Sequence, residues 1–213
     1  MKILAVCLGQ PQTLPGKSYR TGIFKSARTG PVMVDEYGLV GDAVLNRKHH
    51  GGPDQAIYLE GALTLQWWET QLNRQIAPGL FGENLVIDGL DNRELAVGDR
   101  LSIGDILLEV TAPRIPCATF SARMEDSSFV KRYAKAARPG AYCRVLQVGM
   151  IETELAVSYQ AVKGDRLSLS EMIGVSWKNL PADTVLRYLA APIAKRVKEQ
   201  LPIHQNHLKI VIN

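Results

Sequence analysis

The sequence predicts a mainly β fold: a closed or nearly closed β-barrel with a few short helices, followed by a C-terminal extension of three helices. Of the 18 glycines, 17 lie before Leu167, and eight of the 11 prolines lie there too. Short apolar or alternating runs, typical of strands, separate these turn residues. After Leu167 the apolar residues recur at helical spacing. Many short strands with few helices favour a barrel over a parallel α/β sheet. We therefore divide the chain into a barrel domain, 1–166, and a helical extension, 167–213.

The barrel domain is expected to contain eight strands and two helices. The strands are predicted at 2–8, 23–25, 32–36, 55–59, 84–87, 100–103, 106–111 and 142–148. The pair Gly104-Asp105 between two of these runs is a hairpin signal. The helices are predicted at 61–72 and 127–137.

Three start signals predict the helices of the extension. Ser168 and Glu171 match a capping box. Pro181 suits a first helical position, and Pro192 begins a third run at 193–201. Three short helices are marginally stable alone, so we expect them to dock on the barrel.

Composition and charge exclude several classes of protein. Apolar residues make up 46% of the chain, enough to bury a core, which argues against disorder. Residues 1–165 carry 18 basic and 18 acidic side chains, so the net charge of +4 arises from the last 48 residues. The seven basic residues there are dispersed, which favours a solvated face over a nucleic-acid-binding helix-turn-helix. No signal peptide and no run of about 20 apolar residues is visible. A soluble, cytoplasmic protein without membrane contact is therefore expected.

The three cysteines differ in their sequence context. An odd count without a close pair argues against a disulfide framework or a four-cysteine zinc site. Cys7 and Cys143 lie in predicted strands and are expected to be structural. Cys117 ends the segment Pro113-Arg114-Ile115-Pro116-Cys117, in which two prolines stiffen the chain and Arg114 favours the thiolate. Cys117 is therefore predicted to be a nucleophile, a sulfur carrier or a soft metal ligand.

A histidine- and glycine-rich segment comes before the strand at 55–59. It reads Lys48-His49-His50-Gly51-Gly52-Pro53-Asp54. Its glycines allow positive φ and close backbone approach, and His50 supplies a donor near neutral pH. Adjacent histidines in extended chain point to opposite sides, which makes a metal shared by His49 and His50 improbable. The alternative interpretation is a hairpin with a surface histidine.

Two further segments carry polar groups suited to ligands. Phe81-Gly82-Glu83-Asn84 places a carboxyl group beside a carboxamide, a pair suited to a heterocycle, or else forms a simple turn entering a strand. Arg138 and Arg144 flank Gly140 and could meet an anion such as phosphate.

Along the chain, His50-Gly51-Gly52 with Asp54 comes first, followed by Phe81-Gly82-Glu83-Asn84-Leu85, by Pro113 to Cys117 and by Gly140 to Val145. This ordered set resembles the MOSC domain family, and the helical extension makes the chain similar to its YiiM-like branch. The resemblance implies a MOSC-type β-barrel that binds molybdenum cofactor (Mo-molybdopterin), a pterin dithiolene with a phosphate tail. It implies that Cys117 is the molybdenum ligand. We assign the remaining candidates to cofactor binding: Lys48, His50, Gly51, Glu83, Asn84, Arg114, Arg138 and Arg144.

The resemblance also implies reduction of N-hydroxylated compounds, such as hydroxylamino-purines, to amines. Cys117 and His50 are the predicted catalytic residues, with His50 or Glu83 supplying the proton. The chain carries no dinucleotide fingerprint and no iron–sulfur cysteine set, so a flavoprotein is the expected electron donor. Two alternatives stay open: a sulfur carrier with a persulfide on Cys117, and a non-enzymatic module that binds or stores the cofactor. The oligomeric state does not follow from the sequence.

Overall fold

The strands of the protein are short and numerous. A computed structural model describes residues 1–16, 18–46 and 50–202. Within these ranges the strands are β1 (Ile3–Gly9), β2 (Gln12–Thr13), β3 (Arg20–Thr21), β4 (Lys25–Ala27), β5 (Val32–Asp35), β6 (Gly38–Leu39), β7 (Ile57–Gly61), β8 (Leu85–Ile87), β9 (Arg100–Ile103), β10 (Ile106–Pro113), β11 (Ala141–Gln147), β12 (Gly149–Ile151) and β13 (Val157–Gln160).

Helices connect or follow these strands. They are α1 (Ala62–Leu72), α2 (Ala118–Met124), α3 (Phe129–Ala136), α4 (Leu169–Met172), α5 (Ala182–Ala190) and α6 (Lys195–Lys198). Single 3-10 turns cover Pro53–Gln55, Asn92–Glu94 and Trp177–Asn179. Helix α1 ends where Asn73 takes the left-handed conformation, a common helix stop. Across the described ranges, no helix has both the length and the apolar character needed to cross a membrane.

An eight-stranded sheet forms the centre of the fold. Its order is β13-β9-β10-β11-β7-β8-β1-β4, and its pairs are antiparallel except β7 with β8. Helix α1 lies in the connection between β7 and β8, because parallel strands need a long crossover rather than a tight hairpin turn. A separate sheet, β12-β5-β6, and the hairpin β2-β3 complete the strands.

No closed barrel is found among the described residues. The sheet ends at β13 and β4, and the start of β1 is joined to the chain around the start of β13 by the Lys2–Ala156 bridge and by backbone hydrogen bonds such as that from the Ile3 amide to the Leu155 carbonyl at 3.0 Å. Strand β4 pairs with the other end of β1, where Cys7 to Gly9 lie opposite Ala27 to Lys25. The fold is therefore a mixed, sheet-dominated one with several short helices.

Two apolar cores lie on the two faces of this sheet. The larger contains alternate residues of the central strands, such as Ile57 and Leu59 of β7. The smaller packs α1, α2 and α3 around an aromatic cluster in which Trp68 stacks on Tyr133 with ring centroids 5.8 Å apart. Alternation along β7 thus directs Tyr58 and Glu60 away from the larger core.

The C-terminal helices are shorter than predicted, and a three-helix extension is not confirmed. Helices α4 and α6 have four residues each, and residues 203–213 lie outside the described ranges. The capping box is present, because Ser168 Oγ accepts from the Glu171 amide at 3.2 Å. Leu169, Val185 and Val197 belong to the larger core, so these helices complete the sheet's packing. The division at residue 166 stays a prediction.

Seven of the eight predicted strands overlap an observed strand over several residues, whereas the strand predicted at 23–25 shares only Lys25 with β4. The strands β2, β3, β6, β12 and β13 and the helix α2 were not predicted. Helix α2 begins directly after Cys117, within a segment interpreted as a proline-rich connection. Pro113 and Pro116 favoured a loop in the sequence-based prediction. Both residues precede the helix, so they do not interrupt it.

Candidate functional site

A cavity of about 540 Å³ lies beside β7, β11 and the segment after β10. Five of the predicted site residues line it: His50, Gly51, Asn84, Arg114 and Cys117. They come from three segments that are far apart in the chain, and pairing of β7 with β8 and β11 brings these segments together. This volume is typical of a site for a small molecule or cofactor.

Cys117 is the thiol that reaches the cavity. It is half-buried, whereas Cys7 and Cys143 are fully buried. Burial raises the pKa of the Cys7 thiol to about 12 and raises the pKa of Cys143 further. Cys7 and Cys143 are therefore enclosed in the two apolar cores, whereas the half-buried Cys117 thiol is accessible to a ligand.

Arg114 is a buried cation that forms no ion pair with an acidic side chain in the described ranges. Its side chain lies among aromatic rings, with the guanidinium carbon 3.9 Å from the ring centroid of Phe120. One nitrogen, Nη1, donates to the Ile115 carbonyl at 2.8 Å, whereas Nε has no hydrogen-bond partner. No carboxylate among the described residues forms an ion pair with it. A buried, incompletely satisfied cation in a cavity wall is suited to an anionic ligand.

The histidine- and glycine-rich segment forms another part of the wall. His50 lines the cavity, and its backbone amide donates to the Asn46 carbonyl at 2.9 Å. Gly51 has φ 73°, and a Cβ there would lie 2.8 Å from Val44 Cγ1, so the position requires glycine. Lys48, also predicted to bind cofactor, lies outside the described residues.

Asn84 lines the cavity, but its side chain forms hydrogen bonds to other residues of the protein. Its Oδ1 accepts from the Tyr58 amide at 3.1 Å, and its Nδ2 donates to Asp42 at 2.8 Å. Asp42 also forms a 2.5 Å ion pair with Lys25, and both of these side chains are more than nine-tenths buried. Asn84 therefore holds a charged pair in the cavity wall, a role the sequence did not suggest.

Glu83 does not line the cavity. Its carboxyl group is fully buried and accepts the amides of Gly79 at 2.5 Å and Phe81 at 3.0 Å, which closes the turn before β8. Burial raises the pKa of Glu83 to about 7, although the two amides and Lys25 oppose the rise. This position does not support the predicted cofactor contact, because the carboxyl group is used to hold the backbone.

Arg138 and Arg144 also lie away from the cavity wall. Arg138 donates to Asp91 at 3.1 Å and packs on the Trp67 ring. Arg144 forms ion pairs with Asp54 at 2.9 Å and Glu109 at 3.2 Å. Their placement gives no support to the predicted phosphate contacts, because acidic side chains of the protein already occupy both guanidinium groups.

Other wall residues were missed by the sequence analysis. They include Arg20, Lys25, Asp42, Gln55, Tyr58 and Tyr142. Gln55 and Tyr142 lie in or next to segments described above, although neither was assigned to the site. For the other four residues, only contacts across the sheet bring the side chains to the cavity, so no local signal could have identified them.

Buried carboxyl groups predict a pH-dependent stability. Burial raises the pKa of Glu60 to about 8, and Glu83 shifts in the same direction. The folded state therefore binds more protons than the unfolded state between pH about 4.5 and about 8. This contribution is fully present below the ordinary glutamate pKa and is lost as the pH rises through the folded values. We expect the unfolding free energy to fall by about 3 kcal/mol or more across this window.

Urea unfolding at a series of pH values measures this effect. In Glu60→Gln, the unfolding free energy should depend on pH only through Glu83, and this dependence should end above pH about 7. Glu152→Gln, at an exposed glutamate, is the matched control and should keep the wild-type slope. An unfolding free energy that stays level from pH about 5 to about 9 would contradict the prediction.

Comparison with known proteins identifies the family. Residues 46–158 match the model of the MOSC domain, so the chain belongs to the MOSC domain family. It is 32% identical over 151 residues to "Uncharacterized protein YflK" of Bacillus subtilis, covering 70% of this chain and 68% of that protein. It is 28% identical over 183 residues to "Protein YiiM" of Escherichia coli, covering 84% and 80%. Within the family it is a YiiM-like protein.

A solved structure and a longer relative extend the comparison. The crystal structure of YiiM from Geobacillus stearothermophilus matches with a TM-score of 0.76 at 24% identity, over 93% of this chain and 95% of that one. This likeness shows a shared fold. A protein named "Reductase" from Gibberella moniliformis is 30% identical over 176 residues, or 81% of this chain. The chain spans only 29% of that protein's length.

Proposed function

We propose that this protein binds molybdenum cofactor in the cavity and reduces N-hydroxylated compounds to amines. The observation that carries the proposal is the pairing of an accessible thiol, Cys117, with a buried cation, Arg114, in one cavity wall. Family membership and the relative named "Reductase" support it. We place the reaction in the cytoplasm, where free thiols persist.

The donor set fits the cofactor. A thiolate is a soft ligand suited to a metal that also carries sulfur ligands. Arg114 would offer its incompletely satisfied guanidinium group to the phosphate tail. In the described part of the chain, no group of three or more His, Cys, Asp and Glu side chains could hold a metal ion. The metal would therefore depend on Cys117 together with ligands that the cofactor itself brings.

The overall reaction consumes two electrons and two protons. The nitrogen–oxygen bond of the substrate breaks, the oxygen leaves as water and the amine remains. When bound, the cofactor would supply the two-electron chemistry, replenished by a reduced flavoprotein. Cys117 would anchor the metal, Arg114 would neutralise the phosphate, and His50 lies in the wall as a polar group for the substrate. The ion pair of Lys25 and Asp42 would hold the wall in place.

Metal analysis and a reductase assay test the proposal. The purified full-length chain, produced in cells that make the cofactor, should contain about one molybdenum per chain. With reduced methyl viologen as the artificial donor, it should convert 6-hydroxylaminopurine to the amine. A chain that carries one extra sulfur on Cys117 and no metal would instead establish a sulfur carrier. A molybdenum-loaded chain that reduces no N-hydroxylated compound would establish storage.

A further inference from the structure

A buried carboxylic acid lies directly behind the cavity wall. Glu60 and Tyr58 are two residues apart on β7, so both project to the same side of the strand. Tyr58 lines the cavity, whereas Glu60 lies behind it with no exposed surface. Neither residue lies in one of the four segments that suggested a site from the sequence.

Hydrogen bonds connect the two side chains. The Tyr58 hydroxyl donates to Glu60 Oε1, and the Tyr133 hydroxyl donates to the same oxygen at 3.3 Å. The Asn92 amide donates to Glu60 Oε2. A Cβ on Gly140 would lie 2.4 Å from Glu60 Oε1, so this close packing depends on glycine.

The charge environment keeps Glu60 protonated near neutral pH. No described cation forms an ion pair with it, and its three donors are two hydroxyls and an amide. The titratable or charged groups that face it are Tyr58 from β7, Tyr133 from α3, Glu83 from the turn before β8 and Arg114 from the segment after β10. Burial outweighs the favourable contacts and raises the pKa of Glu60 to about 8. Burial also raises the pKa values of Tyr58 and Tyr133, so neither tyrosine ionises in this range.

We propose that Glu60 and Tyr58 form a proton relay that delivers one of the two protons consumed at the cavity. The proposal rests on the proposed function. When Glu60 is protonated it can donate to the Tyr58 oxygen, which leaves the tyrosine hydroxyl hydrogen available to the cavity. As that hydrogen passes to the departing oxygen of the substrate, Glu60 passes its own to Tyr58, so Tyr58 ends neutral and Glu60 ends ionised.

The balance of the step is complete. Two electrons from the reduced flavoprotein break the nitrogen–oxygen bond, one proton arrives through Tyr58 and the second comes from solvent. Solvent then reprotonates Glu60 before the next turnover. Glu60 acts through Tyr58, so a position behind the wall is consistent with its part in the step. Glu83 is a weaker candidate for the acid that supplies this proton, because its carboxyl group is held by backbone amides outside the cavity.

The pH profile of reduction tests the relay. The assay uses the molybdenum-loaded full chain, 6-hydroxylaminopurine and reduced methyl viologen. Wild-type kcat should fall above pH about 8, where Glu60 loses its proton. In Glu60→Gln and Tyr58→Phe, kcat should fall by about 100-fold, within the range for general acid catalysis, and the alkaline limb should disappear.

Tyr133→Phe is the matched control. It also removes a hydroxyl donor from Glu60 Oε1, but Tyr133 does not line the cavity. Loss of a donor to the carboxylate raises the pKa of the acid, so the alkaline limb should move to higher pH while kcat stays within about tenfold.

An infrared titration supplies a readout that needs no cofactor. In cofactor-free protein labelled with ¹³C-glutamate, the protonated carboxyl band should be lost in two steps, near pH about 7 from Glu83 and near pH about 8 from Glu60, and the step near pH about 8 should be absent from Glu60→Gln. If Glu60→Gln does not fold, this titration of the wild type and the profile of Tyr58→Phe decide the question. Absence of the step near pH about 8 from the wild type overturns the relay, as does a pH profile of reduction unchanged from the wild type in a folded, molybdenum-loaded Glu60→Gln or Tyr58→Phe. A loaded wild-type chain that reduces nothing overturns the proposed function itself, and the relay with it.

Discussion

Cys117→Ser should abolish molybdenum binding and reduction while preserving the fold. A serine hydroxyl stays protonated at neutral pH and is a hard oxygen ligand, so it cannot replace a soft thiolate. Loss of a residue that merely supports a metal ligand costs 10–100-fold in affinity, so loss of the ligand itself should cost more than about 100-fold. Cys117 is half-buried and its side chain makes no hydrogen bond needed by the described fold. The unfolding transition should therefore stay close to that of the wild type.

Metal analysis by mass spectrometry and the viologen-linked assay measure this result. Cys143→Ala is the matched control, since it removes a thiol from β11 that is fully buried. It should cost some stability, as loss of buried atoms does, and retain molybdenum. If Cys117→Ser keeps both the metal and the activity, Cys117 is not the ligand.

Arg114→Met should separate cofactor binding from stability. Methionine can fill the space among Phe120, Tyr58 and Tyr133 without burying an unpaired charge. The cofactor-free variant should therefore be as stable as the wild type or more so. Removal of the guanidinium takes away charge-assisted hydrogen bonds worth about 1.5–3 kcal/mol each, so retention of the cofactor should fall by about 10- to 100-fold.

Thermal unfolding of the cofactor-free protein and competitive loading with molybdenum cofactor measure the two effects. Arg138→Met is the matched control: its guanidinium pairs with Asp91 outside the cavity. That variant should lose stability, because Asp91 loses a partner, and should retain the cofactor. Equal retention in Arg114→Met and the wild type would show that the phosphate binds elsewhere.

The short-range features of the fold follow closely from the sequence. Alternating apolar residues located strands such as β9 and β10, and the hairpin at Gly104 follows from its turn residues. Helix α2 was missed because the prolines before it indicated a loop. A closed barrel is not detected among the described residues, and the pairing of β1 with β4 is a long-range contact that no local pattern encodes.

The same contrast separates the site residues. Local context distinguished Cys117, in a stiff, charged segment, from the strand cysteines Cys7 and Cys143, and the structure confirms that difference in exposure. Local context also drew attention to Arg138 and Arg144, whose charges proved to be satisfied by Asp91, Asp54 and Glu109. A sequence shows that a cation is present, but not whether an acidic neighbour has already bound it.

The sequence by itself determined the family, the positions of most strands and the one thiol to test. Each of these depends on residues that are near neighbours in the chain or on an ordered set of short segments. The tertiary structure alone decided that Arg114 has no acidic partner among the residues described, that Glu83 holds a turn and that Glu60 lies behind Tyr58. The physical reason is that burial and pairing of charges arise from contacts between distant segments, and these contacts set both the pKa values and the chemistry of the cavity.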